Sequence, residues 1–297
     1  MAPLKPIDND QSDATGIARE DVWIQALSHG NLPDFVKKRL TDTAAGQLPW
    51  VSTASVAGLL AERSHGIQPL GLVSGNCWYN FGYSWTRGHY DGWHNAIDRL
   101  RLEASLMGAH AVVDITMKIT RMAGQEGAGH MDYSVLGTAI RMEGLSPSTN
   151  PALATVSALE FARLLESGIV PVGIAIGAHY DYWSPVNSGF GNPSGYWNQE
   201  LTPLSIFLTN VRRKALQEFR DDGLRIGSGV LGHTQHSEFY RIEPDENNPY
   251  LRFLARHIAF GTAVIHDSRR RPFGVRPVMS ASDGRLLAAT DTTKEVI

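Results

Sequence analysis

Three short motifs occur twice in this sequence, in the same order, and this repetition restricts the possible folds more than any other feature. The paired segments are 66–75 with 168–177, 103–108 with 218–223, and 136–140 with 260–264. The offset between equivalent glycines grows from 102 (71 to 173) to 115 (108 to 223) to 124 (137 to 261), which predicts two loop insertions in the second copy. One such match could arise by chance, but three in order predict a duplicated unit.

The best-defined part of the first copy, residues 95–119, predicts a helix followed directly by a strand. Asn95 is a favourable N-cap, because its side chain can accept a hydrogen bond from a free N–H of the first turn. Gly108 permits the left-handed conformation that commonly ends a helix. Between them the apolar residues recur on one helical face, at Ile97, Leu100, Ala104 and Met107.

The flanking segments complete a β-α-β-β unit. An apolar, glycine-containing strand is predicted at 70–75. Segments rich in β-branched residues predict strands at 109–119 and 131–141, joined by a glycine-rich turn at 124–129. Each copy also begins with a short helix. In the second copy Ser157 and Glu160 have the spacing of a capping box, and Gly168 is predicted to lie just past the helix end.

The second copy predicts the same order of elements. Its main helix is predicted to start with Thr202 as the cap and Pro203 as the first helical residue, and to end at Gly223. Its last strands are predicted at 226–232 and 256–266, separated by a polar link that contains residues 244–249. The fold class that follows is α+β, with two tandem β-α-β-β units whose antiparallel sheets pack against helices.

The predicted domains are four: residues 1–54, an N-terminal helical extension with short helices at 20–27 and 33–40; residues 55–145, the first repeat; residues 155–268, the second repeat; and residues 269–297, a C-terminal tail. A chain of 297 residues commonly forms two domains and is long enough to bury a sizeable core.

Composition narrows the function classes. The net charge of −3 gives no global electrostatic reason to bind nucleic acid or an anionic membrane. The single cysteine, Cys77, excludes an intramolecular disulfide, which fits a reducing compartment. The sequence has no run of about 18 apolar residues and no apolar signal-peptide core at its start, so a cytoplasmic protein is expected.

The motifs at 69–75 (PLGLVSG), 101–115 (RLEASLMGAHAVVDI) and 136–139 (LGTA) resemble the YbjQ-like family, also known as the heavy-metal-binding domain family. The resemblance covers about 55–141 and, more weakly, 157–267. It implies a β-α-β-β unit like the dodecin subunit, assembly of copies into rings that are commonly five-fold, and, from the family label, a divalent metal. Assembly is also expected physically, because one helix on a three-stranded sheet leaves edges that closure into a barrel would satisfy.

Aromatic residues are concentrated after the first strand of each copy, where long loops are predicted. The candidate ligand-binding residues are Trp78, Tyr79, Trp93, Tyr182 and Trp183. Such side chains can stack on a nucleobase, a flavin or a sugar. The competing and favoured interpretation is that they form contacts between units, where Trp and Tyr are enriched.

Two histidine pairs are candidate metal ligands: His89 and His94, with Asp91 nearby, and His233 and His236, with Glu238 nearby. In an extended strand, residues 233 and 236 point to opposite faces, so only a turn or bulge would bring both to one ion. A zinc site also needs three or four ligands. The alternative interpretation of both pairs is solvated or partly buried histidines without a metal.

Two further features allow a functional interpretation and a structural one. Cys77 could act as a nucleophile beside a histidine, but no base is placed next to it, and free cysteine is commonly a small buried hydrophobe. The arginines Arg269, Arg270 and Arg271 could contact phosphate, although three charges on a tail are typical of a solvated segment. We therefore favour a non-enzymatic, ring-forming homo-oligomer that holds a small ligand or metal between units, ahead of a metal-binding module and an enzyme.

Overall fold

The computed structural model describes residues 21–56, 58–59, 65–80, 85–121, 130–184, 200–242, 244 and 250–266. Within these ranges the protein is a mixed α+β fold. The helices of eight or more described residues, in chain order, are α1 (21–28), α2 (Asp34–Ala44), α3 (Trp85–Leu106), α4 (Ala158–Glu166) and α5 (Thr202–Ile226); residues 56, 58 and 59 are also helical. None of the helices in the described residues is long and apolar enough to cross a membrane.

Seven strands form two sheets. They are β1 (Ile67–Asn80), β2 (Ala111–Arg121), β3 (His130–Met142), β4 (Ala152–Leu153), β5 (Ile169–Trp183), β6 (Gly229–Ile242) and β7 (Arg252–His266). The first sheet has the order β1-β3-β2-β4 and the second has the order β5-β7-β6. All neighbours are antiparallel except β4, which pairs with β2 in parallel.

The strand pairing is irregular at four places in the described strands, two in each sheet. The register shifts lie between Pro69 and Gly71, Val113 and Thr116, Pro171 and Gly173, and Gly232 and Thr234. The shifts in β2 and β6 lie opposite a glycine of the central strand, Gly137 or Gly261. Because bulges bend a strand and increase its twist, both sheets are expected to be strongly coiled rather than flat.

Each long helix lies unusually close to the first strand of its sheet. A Cβ atom added to Gly75 would overlap the backbone oxygen of Ala96 in α3, and one added to Gly177 would overlap that of Ala215 in α5. Glycine is needed at these two strand positions because any side chain would push the helix off the sheet.

The two sheets share one core. The largest apolar cluster packs α3 against the first sheet and also includes Ile174, Ile176, Ile258 and Phe260 of the second sheet. A second cluster packs Ala158 and Phe161 of α4 onto the first sheet. The helix that precedes the second sheet therefore covers the first one.

The prediction that α3 begins after Asn95 was wrong, because the helix begins at Trp85. Its first turns carry aromatic residues and glycines, which resemble a loop in sequence. Gly92 is not a turn residue, however: a Cβ there would overlap the Tyr133 ring, so glycine lets the helix approach β3. His89 and Trp93, one turn apart, are fully buried.

The predicted ends of α5, the long helix of the second copy, were also wrong. Leu201 is the N-cap, Thr202 is the first helical residue, and the helix continues to Ile226 with Gly227 as its C-cap. Gly223 lies inside the helix, where an added Cβ would overlap Val230. Its role is close packing rather than helix termination.

The strands are longer than the sequence predicted. β1 and β5 reach Asn80 and Trp183, β6 covers Gly229–Ile242 rather than 226–232, and β7 begins at Arg252. The five candidate aromatic residues and the histidines of β6 therefore lie on regular elements and not in loops. The predicted turn at 124–129, the link at 245–249 and the tail with Arg269 to Arg271 fall outside the described residues.

Other local predictions are confirmed. The Ser157 side chain accepts a hydrogen bond from the N–H of Glu160, and the Glu160 carboxylate accepts one from the N–H of Ser157. The predicted capping box is therefore formed. Gly108 and Gly168 have φ values of 68° and 73°, the left-handed conformation expected just past a helix end.

Candidate functional site at the junction of the two sheets

The five candidate aromatic residues do not form one cluster. Trp78 and Tyr182 lie on strands with 55% and 51% of their surface exposed. Tyr79 donates a hydrogen bond to Asp91 (3.2 Å), and Trp183 contacts the Phe253 ring. They are therefore separate surface or edge positions and not a common stacking platform.

Trp93 is the exception, because it lies where the two sheets meet. Its side chain is 1% exposed. Its ring contacts Tyr133 of the first sheet at 4.9 Å and Phe260 of the second at 6.3 Å, measured between centroids. The indole Nε1 is buried and has no hydrogen-bond partner among the described residues. A buried N–H without an acceptor is energetically costly, and this atom is enclosed by the protein rather than open to a ligand.

The candidate metal ligands are held by other partners. His89 is fully buried, with its Nδ1 2.7 Å from the Tyr133 hydroxyl. His94 Nδ1 donates to the Tyr90 carbonyl (2.8 Å), and the two rings stack. The first histidine supports packing between α3 and β3, and the second supports the helix itself.

His233 and His236 lie on β6, with His233 at the register shift between Gly232 and Thr234. Nε2 of His236 lies 3.3 Å from a carboxylate oxygen of Glu238. Within the described part of the chain, no three His, Cys, Asp or Glu side chains come close enough to hold one metal ion. The geometry supplies two-residue contacts, which is fewer than a tight zinc site requires.

Cys77 is buried in β1, with 4% of its surface exposed. Burial raises the pKa of the thiol, and this effect exceeds the opposing influence of Arg99. The reactive form of cysteine is the thiolate, so a raised pKa disfavours nucleophilic chemistry at neutral pH.

A cavity of about 240 Å³ lies between the sheets beside Trp93. Its apolar walls come from both halves of the chain, and three polar residues of β6 lie on one side. The lining residues are Trp93, Met117, Lys118, Ile119, Thr234, His236, Glu238, Ile258 and Phe260. An apolar space with a few polar groups is the usual form of a small-molecule site.

A second cavity, of about 420 Å³, lies between the N-terminal turns of α3 and the second sheet with α5. The Arg225 guanidinium lies 5.5 Å from the centroid of the Tyr90 ring and pairs with Asp222 at 2.7 Å. Burial raises the pKa of Tyr90, and the nearby Asp222 carboxylate raises it further. Three of its four ionic side chains, those of Arg87, Glu218 and Arg225, already pair with neighbouring residues, so this cavity offers fewer free contacts.

Two buried carboxylates were missed by the sequence analysis. The Ser74 N–H donates to Glu103 (2.7 Å), and the Ile176 N–H donates to Asp222 (2.8 Å). Burial raises the pKa of Glu103, although the hydrogen bond from Ser74 opposes the shift. Each carboxylate ties a long helix to the first strand of its sheet. In the sequence, the only indication of these contacts was an acidic residue next to the apolar face of each long helix.

Two buried threonines hold the segments that precede β1 and β5. Thr138 Oγ1 accepts from the Thr53 N–H (2.8 Å), and Thr262 Oγ1 accepts from the Thr155 N–H (2.9 Å). In both pairs the two hydroxyl groups are also hydrogen-bonded.

No family model, no curated protein and no solved structure matches this chain. The resemblance to the YbjQ-like family thus stays a prediction from its motifs.

Proposed function

We propose that this chain is a non-enzymatic assembly protein, made of two fused β-α-β-β units, that forms a ring with further copies and holds a small ligand between units. The observation that carries the proposal is a set of three contacts made twice. The paired contacts are Ser74–Glu103 with Ile176–Asp222, Gly75–Ala96 with Gly177–Ala215, and Thr53–Thr138 with Thr155–Thr262.

These contacts support duplication because each set has a constant offset within an element. The first strands differ by 102 (75 to 177), the long helices by 119 (103 to 222 and 96 to 215), and the central strands by 124 (138 to 262). The two long helices are therefore equivalent at an offset of 119 residues, and the offset of 115 predicted from the sequence was wrong by one helical turn. Glu103 corresponds to Asp222 and not to Glu218.

The ligand proposal is supported by the cavity beside Trp93. Its volume of about 240 Å³ is below the range of typical drug-sized sites, so the ligand is a small one. The apolar walls, with the Trp93 ring among them, favour a planar aromatic molecule, and the polar residues of β6 favour one that also carries a polar group.

Assembly is tested by light scattering on the purified full chain across micromolar concentrations. A ring of five chains would have a mass near 163 kDa, five times the 32.6 kDa of one chain. A mass of one chain at every concentration would contradict the proposal.

A further inference from the structure

We propose that residues 50–59 of a second copy dock on the outer edge of β6, in the way that residues 152–166 of the same chain cover β2. The inference rests on the proposed assembly and names the contact through which copies would join. It commits to a head-to-tail contact, in which the start of one chain meets the second sheet of another.

The contact already exists once inside the chain. β4 pairs in parallel with β2, so that the Ala154 N–H donates to the Val112 oxygen (2.9 Å) and the Asp114 N–H donates to the Val156 oxygen (2.9 Å). The chain then enters α4, which buries the first sheet. This segment thus satisfies an edge that would otherwise be open.

The second sheet has the same edge without its cover. β6 takes the place in the second sheet that β2 takes in the first: Leu231 of β6 pairs with Thr262, and Val113 of β2 pairs with the equivalent Thr138. Within the described residues, β6 has β7 on one side and no strand on the other. The positions under α4 are buried at Ile67, Ala111 and Val113, whereas their counterparts Ile169, Gly229 and Leu231 stay partly exposed.

The described residues of this segment, 50–56, 58 and 59, have the local structure that docking requires. Thr53 is held by Thr138 as Thr155 is held by Thr262. The Ser55 side chain accepts from the Gly58 N–H (3.1 Å), as Ser157 accepts from Glu160 (3.3 Å), and residues 56, 58 and 59 are helical.

The apolar side chains of this segment are nevertheless exposed. Val51 is 60% and Val56 77% exposed, whereas their counterparts Leu153 and Ala158 are 0% and 1% exposed. Two valines on a preformed segment therefore lack the surface that covers the same positions in the second copy. Burying each would stabilise the contact by about 1.5 kcal/mol or more at full burial.

A second copy of the chain fits both surfaces of the proposed contact, the segment 50–59 and the outer edge of β6. The segment 50–54 is anchored on the first sheet through Thr138, and it pairs with no strand of its own chain within the described residues. In the expected register, the Ser52 N–H of one copy donates a hydrogen bond to the backbone oxygen of Val230 in the other. The Gly232 N–H of that second chain donates in turn to the backbone oxygen of Ala54. Because the two surfaces differ, the contact is heterologous, and it closes into a ring when the rotation allows.

The test uses Val51→Asp and Val56→Asp in the full chain, with Val22→Asp as the matched control. Val22 is 43% exposed on α1, outside the proposed contact. An aspartate at residue 56 follows the cap Ser55 and suits the helix N-terminus, so folding should be preserved. We expect the Val51 and Val56 variants to lose assembly by at least tenfold in dissociation constant, with unchanged circular dichroism, and the control to keep it.

Cross-linking provides a second measurement. A Val51→Cys chain mixed with a Val230→Cys chain should form a disulfide-linked pair under mild oxidation, whereas Val22→Cys with Val230→Cys should not. If the parent assembles but both aspartate variants keep its mass and the pair does not cross-link, this contact is wrong while the proposed function stands. If the parent is a single chain at all concentrations, both fail.

Discussion

Replacing Thr262 by Val should destabilise the fold strongly, although the shape of the side chain is kept. Thr262 and Thr155 are 0% and 2% exposed, so water cannot replace the lost hydroxyl. The change removes the acceptor of the Thr155 N–H and the partner of the Thr155 hydroxyl, both at 2.9 Å. Each buried polar group left unpaired costs about 1–3 kcal/mol, so the two together predict a loss of about 2–6 kcal/mol in unfolding free energy.

The assay is urea unfolding followed by circular dichroism at one fixed protein concentration. Thr262→Ser is the control, because it keeps the hydroxyl and removes only a methyl group, at a cost of about 1 kcal/mol. A Val variant within about 0.5 kcal/mol of the parent would refute the claim that this pair holds the second unit to its preceding segment.

Three further outcomes are expected. Gly75→Ala and Gly177→Ala should each cost about 2 kcal/mol or more in urea unfolding because the new Cβ overlaps helix backbone, whereas Gly232→Ala, with no atom within 4 Å, should cost little. Glu103→Gln should flatten the pH dependence of stability. Burial raises the folded-state pKa of Glu103, so the parent loses stability as pH rises from the ordinary carboxyl value through the raised one, and unfolding measured from pH 4 to 8 checks this. Trp93→Phe should weaken binding of benzoate, used as the probe in titration calorimetry, by about threefold to tenfold, because it removes part of the aromatic wall of the cavity; equal affinities would exclude that wall from the binding site.

The sequence predicted elements whose apolar residues face one side. β2, β3 and the capping box of α4 were found because burial there is periodic or because a cap has a defined spacing. β6 was largely missed for a physical reason: residues 232–237 are all exposed, so the strand has no alternation of apolar and polar side chains. Its pairing with β7 holds it in place, and backbone hydrogen bonds have no sequence pattern.

The candidate site was predicted less well than the fold. Trp93 was among the candidate residues, but its place on a helix between two sheets depends on contacts distant in sequence. The carboxylates of Glu103 and Asp222 were not among the candidate residues. They become buried only because Gly75 and Gly177 let each helix approach its strand, and this coupling cannot be read from either motif alone.

The proposed duplication also predicts how many ligand sites one chain would provide. The proposed contact between chains repeats the junction inside the chain, but four of the five apolar lining residues correspond to polar ones. With the offsets of the helices and strands, Trp93 corresponds to Arg212, Met117 to Gln235, Ile119 to Ser237, and Ile258 to Ser134, whereas Phe260 corresponds to Leu136. The cavity beside Trp93 therefore has a mostly polar counterpart between chains, so one probe molecule per chain is expected at saturation. A stoichiometry of two would mean that the two junctions are chemically alike, which these substitutions oppose.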